Sequence, residues 1–316
     1  MKISAREIAV VAIFAALSWI ACKFIPGIPI IGAEGSKISW DVSLAPIYGI
    51  VIGPYLGFAA AVIGGLAAAG SLFTVLTSFC TGISAFVTGM LTDKNKKKYG
   101  WIIAAAVIGL LLLGWYSTEV GRKAPFYPIL HITGLLIIIS TRGWIADRVA
   151  EGKTYEEDRA SIKLNMRYIA LGIILLFAGS VIYFRYGTLV KVLGESTLTT
   201  SLLSFSAYTL LIIGALSTIY GIFSWVKLGF MTAIALACYC GIIADHMLGN
   251  LIFLGMLDIV VPALKGAPSE VIAGIFMSVL PISAVERTLF TAIATIIAAA
   301  LIPTLRSAGI TYRKDQ

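Results

Sequence analysis

The side chains best equipped for chemistry lie in three short stretches set in apolar surroundings. ADHMLGNLIF carries Asp245, His246 and Asn250, PISAVERTLF carries Glu286 and Arg287, and KISWDV carries Lys37, Trp40 and Asp41. On a helix, His246 and Asn250 are four residues apart and share a face, with Asp245 beside them. An imidazole, an amide and a carboxylate so placed can hold a polar solute by hydrogen bonds, and the indole of Trp40 offers a stacking face. Each group also has a plain structural reading. Asp245, His246 and Asn250 could serve a polar bond between helices, Trp40 an interfacial anchor, and Lys37 with Asp41 a surface pair. Glu286 as a ligand acceptor, with Arg287 paired to Asp245, is one further arrangement to test.

What must position these groups follows from composition. The chain has 316 residues, of which 59% are hydrophobic and 13% charged, with a mean hydropathy of +0.95. No soluble domain has such a surface. The apolar runs lack the period-two alternation of a barrel, so an all-α polytopic membrane protein of about ten transmembrane helices is expected. Ionisable groups at membrane depth cost several kcal/mol unless paired or solvated, which makes those above functional candidates. The net charge of +8 does not require nucleic acid. With ten spans and cytoplasmic termini, sixteen of the 24 Lys and Arg fall inside and seven outside, with Arg287 near the membrane, and this positive-inside bias accounts for the charge. The run DKNKKK (Asp93 to Lys98) is then a topology anchor. The four cysteines show no metal or disulfide spacing, and no metal or cofactor is expected.

Along the chain, the first helix is expected over Ala5 to Phe24, too long and too integrated with its successors for a cleaved signal. Ala5, Ala9, Ala12 and Ala16 form a stripe on one of its faces. Such a face lets a second helix approach closely, either one of the same chain or one of a partner. A loop with Pro26 and Pro29 follows, then a short span, Val42 to Ile52, closed by Gly53 and Pro54. Tyr55 to Gly70 is a Gly/Ala-rich span, and Ser71 to Leu91 has a polar side of Thr74, Thr77, Ser78, Thr81 and Ser84. Such hydroxyls usually bond their own backbone or a neighbouring helix. Trp101 to Tyr116, Ile129 to Trp144, Tyr168 to Phe184 and Phe205 to Trp225 are four further spans with very few ionisable residues in their centres. The mixed-charge stretch 147–165 between them reads as a cytoplasmic linker or an amphipathic surface helix. Gly229 to Leu254 and a final helix over Pro281 to Pro303 complete the chain, the latter with Glu286 and Arg287 at its start.

The opening AREIAVVAIFAALSWIA, the loop ending in KISWDV, the short span closed by GP and the Gly/Ala-rich third span resemble the start of the substrate-binding S component of energy-coupling factor (ECF) vitamin transporters. ADHMLGNLIF and LPISAVERTLFTAIATIIAAALI resemble that family's last two helices. The resemblance implies three regions: S-component-like helices 1–4 in 1–92, an inserted four-helix region in 93–228, and S-component-like helices 5–6 in 229–316. It implies a multi-pass protein of the cell membrane that is not an enzyme. Such a subunit captures a small water-soluble nutrient and docks through its first helix, here the alanine stripe, on a membrane coupling subunit driven by two cytoplasmic ATPases. Lys37, Trp40, Asp41, Asp245, His246, Asn250, Glu286 and Arg287 would line the cavity. Two other readings stay open. One is a secondary transporter coupling substrate to protons or sodium through Asp245 and Glu286, for which no inverted repeat is visible. The other is a membrane enzyme acting on a lipid with His246 and Asp245 as acid and base, for which no cytoplasmic polar cluster or metal motif is seen.

Overall fold

The computed structural model describes residues 4–29, 37–151, 166–193 and 229–307, with scattered positions between 203 and 218. The expected span Phe205 to Trp225 falls for the most part outside these residues, as do the tip of the first loop and most of 147–165. Two compact units divide the chain, Met1–Gly152 with Phe230–Gln316, and Lys153–Gly229.

The first unit begins with helix α1 (Ala5–Phe24), whose N-terminus is closed by a capping box between Ser4 and Glu7. Ile28–Pro29 and Lys37–Ile38 pair antiparallel as a short hairpin at the base of the first loop. Helix α2 (Asp41–Ile52) ends at Gly53, whose φ of 82° no other residue adopts as readily, and Pro54 starts α3 (Pro54–Ala68) at once. This is the break the GP pair predicts. Helix α4 (Leu72–Thr92) follows, with its own capping box between Ser71 and Thr74. Then come α5 (Gly100–Ser117), α6 (Glu119–Lys123), α7 (Ile129–Thr141) and α8 (Trp144–Glu151). After the second unit the chain returns as α11 (Phe230–Gly255), α12 (Leu257–Val260) and α13 (Ser269–Ser307).

Close backbone approach is what builds this bundle. A Cβ at Gly49 would stand 2.0 Å from the Ala85 carbonyl oxygen, and one at Gly100 would stand 2.2 Å from that of Met90. Small residues thus seat α2 and α5 directly on α4. Helix α11 packs against α2, α4, α5, α7, α8 and α13, so residues 100–151 share one core with the first four helices and the last two. The chain turns between α7 and α8 by 74°, at Arg142 with φ 46°. Lys97 and Asp147, 2.5 Å apart, tie the basic run to α8.

The second unit contains α9 (Met166–Phe184) and α10 (Tyr186–Leu193). Their segments Ile169–Phe184 and Tyr186–Val192 are bent by 70°. Gly172 of α9 lies directly on the backbone around Gly214.

The protein is therefore an all-α polytopic membrane protein. Among the described residues five helices are long and apolar enough to cross a membrane, or seven if each bent pair is one span. The expected ten also counts the shorter α2 and α3 and the stretch 205–225. One expectation is overturned. Glu286 and Arg287 are not at a helix start, because α13 runs unbroken from Ser269 and carries Pro281 inside it. A proline in a membrane helix removes one backbone bond but need not end the helix, since neighbouring groups satisfy what it frees.

Candidate functional site

Helices α2, α11 and α13 bring together the residues that the sequence scatters. Asp41 opens α2 and is buried, with Ser39 and Cys22 hydrogen-bonded to its carboxyl. Trp40 precedes it. Its Nε1 donates to the Pro26 carbonyl over 2.7 Å, and its ring meets Phe290 of α13 edge-on at 5.7 Å. The indole donor is thus already used to fasten the first loop, which fits an anchoring role. Lys37 lies in the hairpin opposite Pro29.

Asp245 and Asn250 are buried on α11 and His246 is half-buried beside them. Asp245 interacts electrostatically with both Arg287 and Asp41. The ion pair expected between Arg287 and Asp245 is not the one formed. Arg287, 3% exposed, pairs with its neighbour Glu286 at 3.3 Å, and its guanidinium lies 5.4 Å from the Phe290 ring.

The structure adds residues that the sequence did not single out. Tyr127, in the turn before α7, and His131, within α7, are both buried against the same group. The Tyr127 hydroxyl stands 3.5 Å from His246 Nε2 and is hydrogen-bonded to Ser283 of α13, with Asn250 close by. The rings of His131 and His246 stack at 5.1 Å with 24° between their planes. The chain has two histidines, and they face each other. The sequence signal for this was a lone His in the apolar run LHITGLL, where an imidazole has no reason to be unless it meets a polar partner.

Several of these buried groups have no hydrogen-bond partner: both ring nitrogens of His131, His246 Nδ1, Asn250 Nδ2 and Arg287 Nε. A buried polar group left so costs about 1–3 kcal/mol. A cluster of them within one core is what a site for a polar solute looks like from the protein's side. Beside it is a cavity of about 430 Å³, lined among others by Thr118, Glu119, Leu251, Leu254 and Ile272. Leu251 follows Asn250 directly. Ile272 is one turn before Phe276, which packs on Trp115 and Tyr127 at 5.0 Å each. The cavity therefore opens at one end of the cluster rather than within it.

The alanine stripe is resolved in its setting too. Ala5, Ala9, Ala12 and Ala16 are all exposed, whereas Phe14, Ala15, Ser18 and Ala21 on the other side of α1 are buried. Ser18 donates to the Tyr48 hydroxyl at 3.2 Å, and Gly64 of α3 lies against Ala15 and Ser18. Contact within the chain uses the opposite face.

With this geometry in hand, comparison with known proteins is informative. Residues 2–121 match the profile of the family described as ECF-type riboflavin transporter, S component. No curated protein and no solved structure matches. The likeness to ECF S components carried by the sequence is thus shown independently over that segment, and it is a likeness to a transporter's substrate-binding subunit.

Proposed function

We propose that this S-component-like chain is the membrane-embedded substrate-binding subunit of an ECF-type ABC transporter, taking up a small water-soluble nutrient of vitamin size. Its substrate site is the cluster of Asp245, His246, Asn250, Glu286 and Arg287, bounded by Lys37, Trp40 and Asp41 where the first loop re-enters the bundle. The exposed stripe of Ala5, Ala9, Ala12 and Ala16 docks on a membrane coupling subunit, which two cytoplasmic ATPases drive. The termini lie in the cytoplasm, and the chain carries out no chemistry on its cargo. Riboflavin, named in the matched family's description, is the first substrate to try.

One observation carries this reading. Buried polar atoms without partners converge from α7, α11 and α13 in a chain whose N-terminal part matches S components. A purely structural core would have paired them or replaced them with apolar groups. Native mass spectrometry of the protein, extracted gently from its own membranes, tests the proposal. The expected result is a retained vitamin-sized molecule together with a coupling subunit and an ATPase pair. A lone chain carrying only lipid would overturn it.

A further inference from the structure

One end of the bundle gathers cations that the nutrient site does not use. The turn from Asp93 to Tyr99 carries Lys94, Lys96, Lys97 and Lys98, and the bend between α7 and α8 brings Arg142 and Arg148 to it. The approach is close. The Lys97 side chain runs over Gly143, where an added Cβ would stand 2.6 Å from its Cγ, and its ammonium reaches Asp147. Arg142 lies over the Trp101 ring at 5.9 Å.

The charges here are sorted. Across the stretches 93–99 and 142–151, six cations face three carboxylates. Asp93 pairs with Lys96, Asp147 with Lys97 and Glu151 with Arg148. Lys94, Lys98 and Arg142 are exposed, and no ion pair holds any of them among the described residues. Three surplus positive charges on one rim repel one another and attract anions.

Which anion follows from what lies beside the charges. Tyr55 near the start of α3, Tyr99 and Trp101 at the start of α5, and Trp144 at the start of α8 are amphipathic aromatics at this same end. Lys96 stands 5.6 Å from the centre of the Tyr55 ring, and Arg148 5.9 Å from that of Trp144. Such rings settle at the boundary between headgroups and acyl chains. Cations held against them are at the depth of lipid phosphates, not out in the water where a soluble acidic protein would meet them. With the termini in the cytoplasm, as proposed above, the first four spans bring this turn to the inner leaflet, the anionic one. A topology anchor needs only a number of Lys and Arg. It needs neither carboxylates spent on the other three cations nor a guanidinium laid on an indole.

We propose that this rim is a binding site for anionic phospholipid. Lys94, Lys98 and Arg142 take the headgroup phosphate, Arg142 with its planar fork of donors, and the indoles of Trp101 and Trp144 lie where the acyl chains begin. The site does not depend on which nutrient the chain carries.

For the test, the purified full chain is delipidated in a neutral detergent and given phosphatidylglycerol or phosphatidylcholine, and bound lipids are counted by native mass spectrometry. In detergent no bilayer orientation enters, so an altered topology cannot mimic a lost site. The wild type should prefer phosphatidylglycerol by at least about tenfold. That preference should shrink between about 0.1 M and about 1 M ammonium acetate, as the screening length falls from about 10 Å to about 3 Å. Each cation near such a surface is worth up to about fivefold. Arg142→Gly should lower the preference by about that factor and leave the melting temperature unchanged or higher, because glycine adopts the φ of 46° without strain. Lys94→Gln with Lys98→Gln should lower it further, and all three substitutions together should leave less than about twofold. Lys265→Gln, in the loop before α13 at the far end of the bundle, should change nothing. Equal binding of the two lipids by the wild type overturns the inference. So does a preference that survives all three substitutions, or one lost equally in Lys265→Gln. Loss of a co-purifying coupling subunit or ATPase in the triple variant, with no lipid preference in the wild type, gives the rim to an acidic protein surface and overturns it as well.

Discussion

Helices α4 and α11 lie against each other in the core and treat polar atoms in opposite ways. Along α4, Ser78 donates to the Thr74 carbonyl at 2.8 Å, Thr81 to Ser78 at 3.1 Å, Thr88 to Ser84 at 2.9 Å and Thr92 to Thr88 at 2.9 Å. Apart from the Ser84 hydroxyl, which stands unpaired, and Thr88, which also reaches the Ala237 carbonyl of α11 at 3.3 Å, this polar side bonds the helix's own backbone and asks nothing of a ligand. Around α11 the polar groups are larger, come from several helices and stay partly unpaired. Polarity inside a membrane bundle is therefore not itself a sign of a site. The sign is polarity that the fold does not satisfy.

This contrast can be broken or sharpened by substitution. The largest effect is expected on the packed side. Gly49→Val puts atoms into the Ala85 backbone, which cannot yield as a side chain would. It should cost ~3 kcal/mol or more, at or beyond the upper end for overpacking, and is checked by the yield and melting temperature of the folded protein. Next comes Arg287→Met on the open side, which leaves Glu286 without its partner. Substrate retention should fall by at least about tenfold, and the melting temperature should drop, since breaking a buried pair costs about 3–5 kcal/mol. Ser283→Ala removes one partner of the Tyr127 hydroxyl. It should cost about 0.5–1.5 kcal/mol in thermal unfolding and loosen ligand binding to a comparable degree. Thr81→Val, on the self-satisfied side, should leave retention unchanged and shift stability by less than about 1 kcal/mol. Smallest in the isolated chain is Ala12→Leu. The residue is exposed, so melting should not change, and only co-purification with the coupling subunit should weaken.

How much of this was legible in the residues varies with the range of the interactions involved. Local signals worked where one residue decides the backbone. Gly53 with Pro54 splits α2 from α3, and the pattern of small residues marks the tight seats on α4. Proline misled at Pro281, because whether it stops a helix depends on the surrounding bundle, which the sequence does not display. Asp245, His246, Asn250 and Arg287 stood out because charged and polar groups are rare in apolar runs. Their partners could not be assigned, since Arg287 turns to its neighbour Glu286 and not to Asp245. His131 was present as a lone polar residue in a span that otherwise reads as filler. Its role depends on stacking against His246, a contact between distant parts of the chain that no local spacing encodes. The alanine stripe was visible from its period alone, but which way it faces emerged only from the burial of Phe14 and Ser18 on the other side.

The most direct measurement is an experimental density map of the full chain purified with whatever small molecule it retains. The account predicts ligand density bounded by His131, His246, Asn250 and Arg287, with Tyr127 at its edge. Ligand density elsewhere in the bundle, with these side chains packed on one another as they are now, would contradict it.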